Sequence, residues 1–320
     1  MNAKKNRIGA TAAALVIATG LSLMPGGALT VNASERAFAA SQTLSEEQSE
    51  SRRPATIWES YKTLEGVGTK SVWNYQRKEV KVNSKLLSQK SLTINGIDYI
   101  PSRLAANALG LEYTYVSKTR TVTIKGAGLE MTFSDGCYVS YANGRALFSE
   151  TPSVIMSDGR MYIPVSIFAK ATGLSYNSGT SEITLTGKYK PLLHADKFYR
   201  SDEVFWLARI IEAESGGESL LGKIAVGNVV MNRVRSSQYP NTIYGVIFDR
   251  KYGVQFSPVL DGSIYNIPSY NSTLAAKIVL DGIDVSEGAL FFLRPELSTS
   301  SWIPNNRPYA FSIGKHDFYK

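Results

Sequence analysis

The sequence predicts an α+β protein of two unlike domains, and three features lead to that reading. A pattern of turn, strand, proline, short helix and glycine occurs twice between residues 95 and 185. Two helical stretches separated by Gly216 and Gly217 follow it. Ahead of both stands an N-terminal segment with the composition of a targeting peptide.

Lys4, Lys5 and Arg7 precede an apolar run from Ile8 to Met24, which Pro25, Gly26 and Gly27 then break. This is the pattern of a signal peptide, expected over residues 1–33 with the small-residue site Val31-Asn32-Ala33 at its end. No other segment is apolar for long enough to span a bilayer, so the expected product is secreted and keeps no stable membrane anchor after cleavage. Residues 34–78 are rich in Ser, Glu, Gln, Arg and Lys and read as a linker. Cys137 is the only cysteine of the 320 residues, so no intramolecular disulfide forms and both domains must stand on packing alone.

The formal net charge is +8, but it is unevenly spread. Residues 196–320 carry 13 Lys/Arg and 13 Asp/Glu, which leaves 22 basic and 14 acidic residues in the front part. A mildly basic front half suits an anionic envelope surface, and no nucleic-acid-binding motif accompanies it.

The internal repeat begins at Val80 or shortly after. Asn95, Gly96, Tyr99, Ile100, Pro101, Ala106, Ala108, Gly110, Leu111 and Tyr113 match Asp158, Gly159, Tyr162, Ile163, Pro164, Ala169, Ala171, Gly173, Leu174 and Tyr176 at a constant offset of 63. Each copy continues into an alternating strand, Thr121 to Ile124 and Glu182 to Leu185. The unit reads as an Asx-Gly turn, a short strand ending at Pro, a short helix closed by Gly, and a return strand. On these motifs residues 79–187 resemble the bacterial stalk domain, also called the copper amine oxidase N-terminal-like domain. The resemblance implies an α/β two-repeat spacer or wall-associated module. It carries no expectation of copper, which needs imidazole or sulfur ligands, and this region offers only Cys137.

The second domain is expected over residues 196–320. Ser201 or Asp202 can cap a helix whose apolar positions Val204, Leu207, Ala208 and Ile211 recur at helical spacing. After the two glycines a second helix is predicted from about Leu220 to Arg235, with Pro240 beyond its end. Three glutamates sit at the break. Glu212 and Glu214 are two apart and point to different faces of one helix, which reads Glu212 as a surface residue. Glu218 is placed to support the start of the next helix. Glu214, at the helix end, is either a solvated acid or a half-buried general acid.

The chain beyond Phe205 carries Ala213-Glu214-Ser215-x-Gly217-Glu218, Gly222-x-x-Ala225-Val226, Val230-x-Asn232-Arg233-Val234, Pro240-Asn241-Thr242, Gly245-Val246-Ile247, Asp261-Gly262, Gly288-Ala289-Leu290-Phe291-Phe292, Thr299-Ser300-x-Trp302 and Ile313-Gly314-Lys315-His316. In these motifs it resembles the cell-wall hydrolase family of the SleB/CwlJ type, the spore cortex-lytic enzymes. The resemblance implies a mainly helical, lysozyme-like catalytic domain acting on peptidoglycan, with Glu214 as the catalytic acid and links to sporulation and germination. Ser215 completes a Glu-Ser pair similar to that of lysozyme-like lytic transglycosylases. Gly216 stands where a basic residue is common, and Arg250 to Phe256 replace the more usual Pro-Gly-x-Phe turn.

With one placed acid and no evident partner, an intramolecular reaction is expected. Glu214 protonates the glycosidic oxygen between N-acetylmuramic acid and N-acetylglucosamine, and the muramoyl 6-hydroxyl closes on the anomeric carbon to leave a 1,6-anhydro end. Two-carboxylate hydrolysis would need a second acid, for which Asp261 in its Asp-Gly turn is the candidate. Ser215, Phe256, Asp261, Tyr265 and Trp302 are the expected substrate-binding residues. Tyr270 is a further aromatic that could stack on a sugar. A serine triad or a zinc amidase centre would have to be built from His194 and His316, the only histidines, so no metal and no cofactor are expected. The competing readings are a muramidase, an N-acetylmuramoyl-L-alanine amidase, or a non-catalytic wall-binding protein.

Overall fold

The computed structural model describes residues 75–94, 96–251, 253–298 and 301–320. The expected signal peptide and the linker as far as residue 74 lie outside the described residues, as do Asn95, Tyr252, Thr299 and Ser300.

The first domain is entered through β1 (Tyr75–Gln76), β2 (Glu79–Val82), β3 (Lys85–Leu86) and β4 (Leu92–Ile94). The first repeat copy follows as β5 (Ile97–Pro101), α1 (Ser102–Ala108), β6 (Glu112–Val116) and β7 (Thr121–Gly126). A meander of β8 (Leu129–Ser134), β9 (Val139–Ala142) and β10 (Arg145–Phe148) comes next. The second copy then runs through β11 (Val154–Ile155), β12 (Met161–Pro164), α2 (Val165–Thr172), β13 (Ser175–Ser178) and β14 (Glu182–Thr186). Residues 75–78, within the span expected as linker, already take part in this domain. Tyr75 pairs with Ile94, and buried Lys78 bonds Asp98 and Ser178 through its ammonium.

Three sheets result, in the orders β1-β4-β5-β12-β11, β10-β9-β8-β7-β6 and β13-β14-β2-β3. The two repeat copies meet where β5 and β12 pair antiparallel with Ile100 opposite Ile163. Those two residues are repeat equivalents, so the pair lies on a local pseudo-twofold axis. Both α1 and α2 start directly after the prolines that end these strands, since Pro fixes φ and the N–H it lacks is not required at a strand end. Gly173 closes α2 with φ +73°, and a Cβ there would lie 2.3 Å from the Lys190 carbonyl oxygen, so glycine is required twice over.

The β8–β10 meander was absent from the repeat reading. Its hairpin turn was legible, because Asn143 and Gly144 both take positive φ at the β9–β10 corner, as Asn-Gly does in tight hairpins.

The second domain contains α3 (Ala195–Phe198), α4 (Ser201–Ser215), α5 (Leu220–Arg235), α6 (Ile243–Ile247), α7 (Pro258–Asp261), a 3₁₀ turn over Ser263–Tyr265 and α8 (Tyr270–Leu280). It ends with β15 (Phe291–Leu293), α9 (Trp302–Asn306), β16 (Tyr309–Ile313) and β17 (His316–Tyr319), which form a sheet in the order β15-β17-β16. The predicted stripe on α4 is buried at Leu207, Ala208 and Ile211, facing Ile224 of α5 and Ile278 of α8. Gly227 lets the three helices cross closely, since a Cβ would sit 2.8 Å from Ile211 Cδ1 and 3.0 Å from Val279 Cγ2. The small sheet packs on the other side of α5, where Phe318 meets Ala225, Val226 and Val229. Together the domains make a mixed helix and strand molecule, a strand-rich front and a helical back, in the α+β class.

The domains are also joined through their cores. Val139, Ala146 and Phe148 of the β9–β10 hairpin belong to the same apolar cluster as α4 and α8.

Candidate active site

Glu214 is the penultimate residue of α4 and faces away from Glu212, as their spacing requires. Its carboxyl is largely enclosed, and burial pushes its pKa up to about 7 from the ordinary 4.5. The guanidinium of Arg233 pulls in the opposite direction, and the carboxylate of Asp261 adds to the rise. Among the described residues no hydrogen bond or ion pair satisfies the Glu214 carboxyl. An enclosed acid poised near neutrality and unengaged by protein donors is suited to handing a proton to a bound substrate and taking one back.

The helix end that carries Glu214 is held by buried Lys223 of α5. Its ammonium donates to the carbonyls of Ser215 and Gly216, both at 2.8 Å, and to Ser272 Oγ at 3.1 Å. These are carbonyls that a helix terminus leaves without intrahelical partners. Glu212 is on the far face, half-buried, and its carboxylate is engaged rather than free. Its Oε2 accepts from Ser269 N at 3.0 Å, Ser269 Oγ at 2.6 Å and Ser272 Oγ at 2.6 Å, which ties α4 to the first turn of α8. Burial would raise the Glu212 pKa, but the hydroxyl bonds from Ser269 and Ser272 outweigh it and hold the group below its usual range. Two glutamates two residues apart are thus driven in opposite directions, one toward the acid and one toward the anion.

Glu218 also has a different task from the one expected. The N-cap of α5 is Ser219, whose hydroxyl accepts from Gly222 N. Glu218 reaches the β16–β17 turn, where its Oε2 accepts from Lys315 N at 3.3 Å and its Oε1 lies 3.7 Å from His316 Nδ1. His316 is buried beside Phe292, and burial lowers its pKa, so it closes the terminal hairpin as a neutral ring.

Arg233 acts electrostatically on Glu214 and is the residue of this site that sequence reasoning did not single out. It is buried, its Nε donates to the Leu290 carbonyl at 2.8 Å, and its guanidinium lies 5.1–5.5 Å from the rings of Phe256, Tyr239 and Phe291. Its Nη1 is buried without a hydrogen-bond partner. A permanent cation in an aromatic box beside a neutral acid is arranged to stabilise that acid once it has lost its proton. The available signal was an arginine on an otherwise apolar helix face, where an unpaired charge is rare.

The expected substrate-binding residues divide. Asp261 and Tyr265 lie on the segment packed against α4, with Tyr265 exposed and edge-on to Trp206 at 6.3 Å. Asp261 Oδ1 accepts from Ser263 N at 2.8 Å in an Asx turn; the Ser263 hydroxyl first, and then this backbone bond, hold its pKa low while its charge still acts on Glu214. Trp302 is exposed and lies 6.3 Å from Phe291, a wall of the Arg233 box. Ser215 and Phe256 are placed otherwise than expected. Ser215 is buried and its hydroxyl donates to the Ile211 carbonyl at 2.6 Å, closing its own helix. Phe256 is buried under Arg233 and presents no face to a sugar. Tyr270 bonds the Tyr141 hydroxyl of the front domain at 3.0 Å. Among the described residues no group of three His, Cys, Asp or Glu side chains is placed to hold a metal ion.

Residues 217–319 match the Cell Wall Hydrolase family. The second domain belongs to the cell wall hydrolase family. Residues 76–186 match the copper amine oxidase N-terminal domain, which agrees with the stalk reading of the front domain. The cell wall hydrolase match begins three residues after Glu214, so the α4 end stands just outside it. A spore cortex-lytic enzyme of Bacillus cereus is 34% identical over 167 residues, which cover 50% of this chain and 63% of that protein. One from Bacillus subtilis is 36% identical over 120 residues, 38% of each chain. The chain therefore spans less than two thirds of the length of these relatives. The solved catalytic domain of a germination-specific lytic transglycosylase, SleB of Bacillus anthracis, is 38% identical and aligns over 38% of this chain and 97% of its own, with a TM-score of 0.35.

The electrostatics of the cell wall hydrolase domain predict a pH signature. Asp261→Asn keeps an Asx-turn acceptor but removes the negative charge that raises Glu214, so the Glu214 pKa should fall. The alkaline limb of a pH–rate profile for wall lysis is expected to move to lower pH, and superimposable profiles would show that Asp261 does not act on the acid.

Proposed function

We propose that this protein cleaves the glycan strands of peptidoglycan at the bond between N-acetylmuramic acid and N-acetylglucosamine, with Glu214 as general acid and then base. The carrying observation is the enclosed Glu214 carboxyl with its pKa near 7 and no hydrogen bond from the described residues, under the charge of buried Arg233. Membership of the hydrolase domain in the cell wall hydrolase family and likeness to spore cortex-lytic enzymes support the substrate class.

In the step we infer, neutral Glu214 gives its proton to the glycosidic oxygen as the bond from the anomeric carbon to that oxygen breaks. Arg233, held among its aromatic rings, stabilises the carboxylate that remains. The muramoyl 6-hydroxyl attacks the anomeric carbon, and Glu214 takes the hydroxyl proton, which regenerates the acid and leaves a 1,6-anhydro end. Exposed Tyr265 and Trp302 offer faces for sugar rings at the edges of the site. The site of action is the wall or spore envelope outside the membrane.

One observation favours a second reading. Asp261 is ionised and acts electrostatically on Glu214, so it can serve as the base that activates water for hydrolysis. Mass analysis of fragments released from purified peptidoglycan separates the two. Anhydromuramoyl ends are expected. Reducing ends would favour hydrolysis through Asp261, and new amino termini on the stem peptides would overturn glycan cleavage altogether.

A further inference from the structure

The stalk domain contains a groove of about 420 Å³ that the proposed reaction does not use. That volume lies within the range of small-ligand sites, roughly 300–1,000 Å³. It is formed where the first repeat copy meets the Asp158–Met161 turn of the second. Tyr113 and Tyr115 alternate on β6 and so face the same side, with Tyr115 41% exposed. Ser102 Oγ lies 3.3 Å from the Tyr113 hydroxyl and donates to the Met161 carbonyl at 2.9 Å, which fixes the tyrosine against the groove floor. The Arg103 guanidinium stands 4.6 Å from the Tyr113 ring centre. Arg160 is on the opposite rim and spends one nitrogen on Asp158 at 3.1 Å. Gln89 lines the same groove, and its side-chain carbonyl is buried with no hydrogen-bond partner.

This constellation is not a requirement of the repeat. At the offset of 63, Arg103 corresponds to Ser166, Tyr115 to Ser178, Gln89 to Pro152 and Arg160 to Ile97. The second copy lacks Gln89, Arg103 and Tyr115 and the first lacks Arg160, yet both fold to the same turn, strand and helix, so the repeat does not require these side chains. Two arginines with free nitrogens recognise a carboxylate, tyrosine faces pack on the C–H faces of a sugar, and an unpaired amide carbonyl accepts from a hydroxyl or an acetamido N–H. Residues 75–195 carry 14 Lys/Arg against 8 Asp/Glu, a net +6, which favours an anionic ligand at longer range.

We propose that the Arg103–Tyr113–Tyr115–Arg160 groove of the stalk domain is a second saccharide site that binds a carboxylate-bearing segment of the wall glycan and holds the catalytic domain on its polymer. The proposal rests on peptidoglycan being the substrate, but binding is read without cleavage. The full chain carrying Glu214→Gln is titrated against purified peptidoglycan stripped of its phosphate polymers, against unstripped wall, and against neutral chitin oligomers.

Stripped peptidoglycan is expected to bind, and Arg103→Ala with Arg160→Ala to weaken it by roughly tenfold or more. Tyr115→Ala, at an exposed strand position, should weaken it as well. Turnover of short soluble glycan fragments by the wild-type chain bearing the same groove substitutions should stay unchanged, because those fragments engage only the catalytic site. Undiminished binding by both groove variants, equal affinity for neutral chitin, or binding confined to unstripped wall would each overturn the proposal, the last in favour of a phosphate polymer. A parent chain that binds but releases no fragments leaves the groove standing and sinks the catalytic reading instead.

Discussion

Glu214→Gln is expected to lower the rate of fragment release from peptidoglycan by about 10²–10⁴-fold or more, the range over which positioned general acid–base groups act. Gln preserves the shape of the side chain, so the loss should appear in kcat with little change in binding to the wall. The fold itself favours the protonated form of Glu214, because its pKa is raised from 4.5 to about 7. The stabilising contribution of that neutral form is fully present below the ordinary value and is lost as pH rises through 7. A permanently neutral Gln avoids this loss. The variant should therefore melt at or above the wild-type temperature at pH 8, and the difference should shrink toward pH 4. Retained activity would remove Glu214 from the chemistry, and a large drop in melting temperature at pH 8 would show that its carboxylate is structural.

Asp281→Ala should give the largest loss of stability. Asp281 ends α8, and its carboxylate is wholly enclosed. Arg145 of β10 approaches it through two nitrogens, Nε at 3.0 Å and Nη2 at 2.8 Å. Lys170 of α2 lies 2.7 Å from Oδ1, and the Tyr199 hydroxyl donates to Oδ2 at 2.9 Å. One acid of the hydrolase domain thus holds two cations of the stalk domain. Removing one partner from a buried pair costs about 3–5 kcal/mol, because the other charge is left uncompensated. For a protein of this size that is a fall in melting temperature of roughly 6–20 °C, readable by calorimetry.

Replacing exposed Glu287 is the control and should change little. Burial opposes ionisation of Asp281, but the bonds from Arg145 and Lys170 outweigh it and depress its pKa. Its contribution is then present above the ordinary 3.8 and is lost as pH falls through the lower folded value. A wild-type melting temperature in Asp281→Ala would mean that the two domains do not depend on this contact.

Local order was legible wherever it rests on short-range spacing. The offset of 63 anticipated β5–α1 and β12–α2 because the Asx-Gly turn, the proline and the closing glycine each constrain the backbone within one or two residues. The bounds of α5, Leu220 to Arg235, followed from the glycine break and the apolar spacing in the same way. Individual side-chain roles were less legible. Ser215 follows Glu214 directly, yet its hydroxyl turns back to Ile211 and away from any ligand. Spacing gives Glu212 a surface position but not its partners, Ser269 and Ser272, which are 57 and 60 residues away. Phe256 was read as a sugar platform, but it lies under Arg233, whose burial no local pattern announces.

The sequence by itself determined the repeat, the break after α4 and the bounds of α5, because backbone conformation and amphipathic spacing are local properties, while the expectation for Glu214 rests on the family resemblance. Tertiary structure alone decided that Glu214 and Glu212 are driven to opposite charge states, that Arg233 stands beside the acid, and that Asp281 locks the two domains. Charge state depends on solvent exclusion and on groups brought near from distant parts of the chain, and only the folded packing sets those.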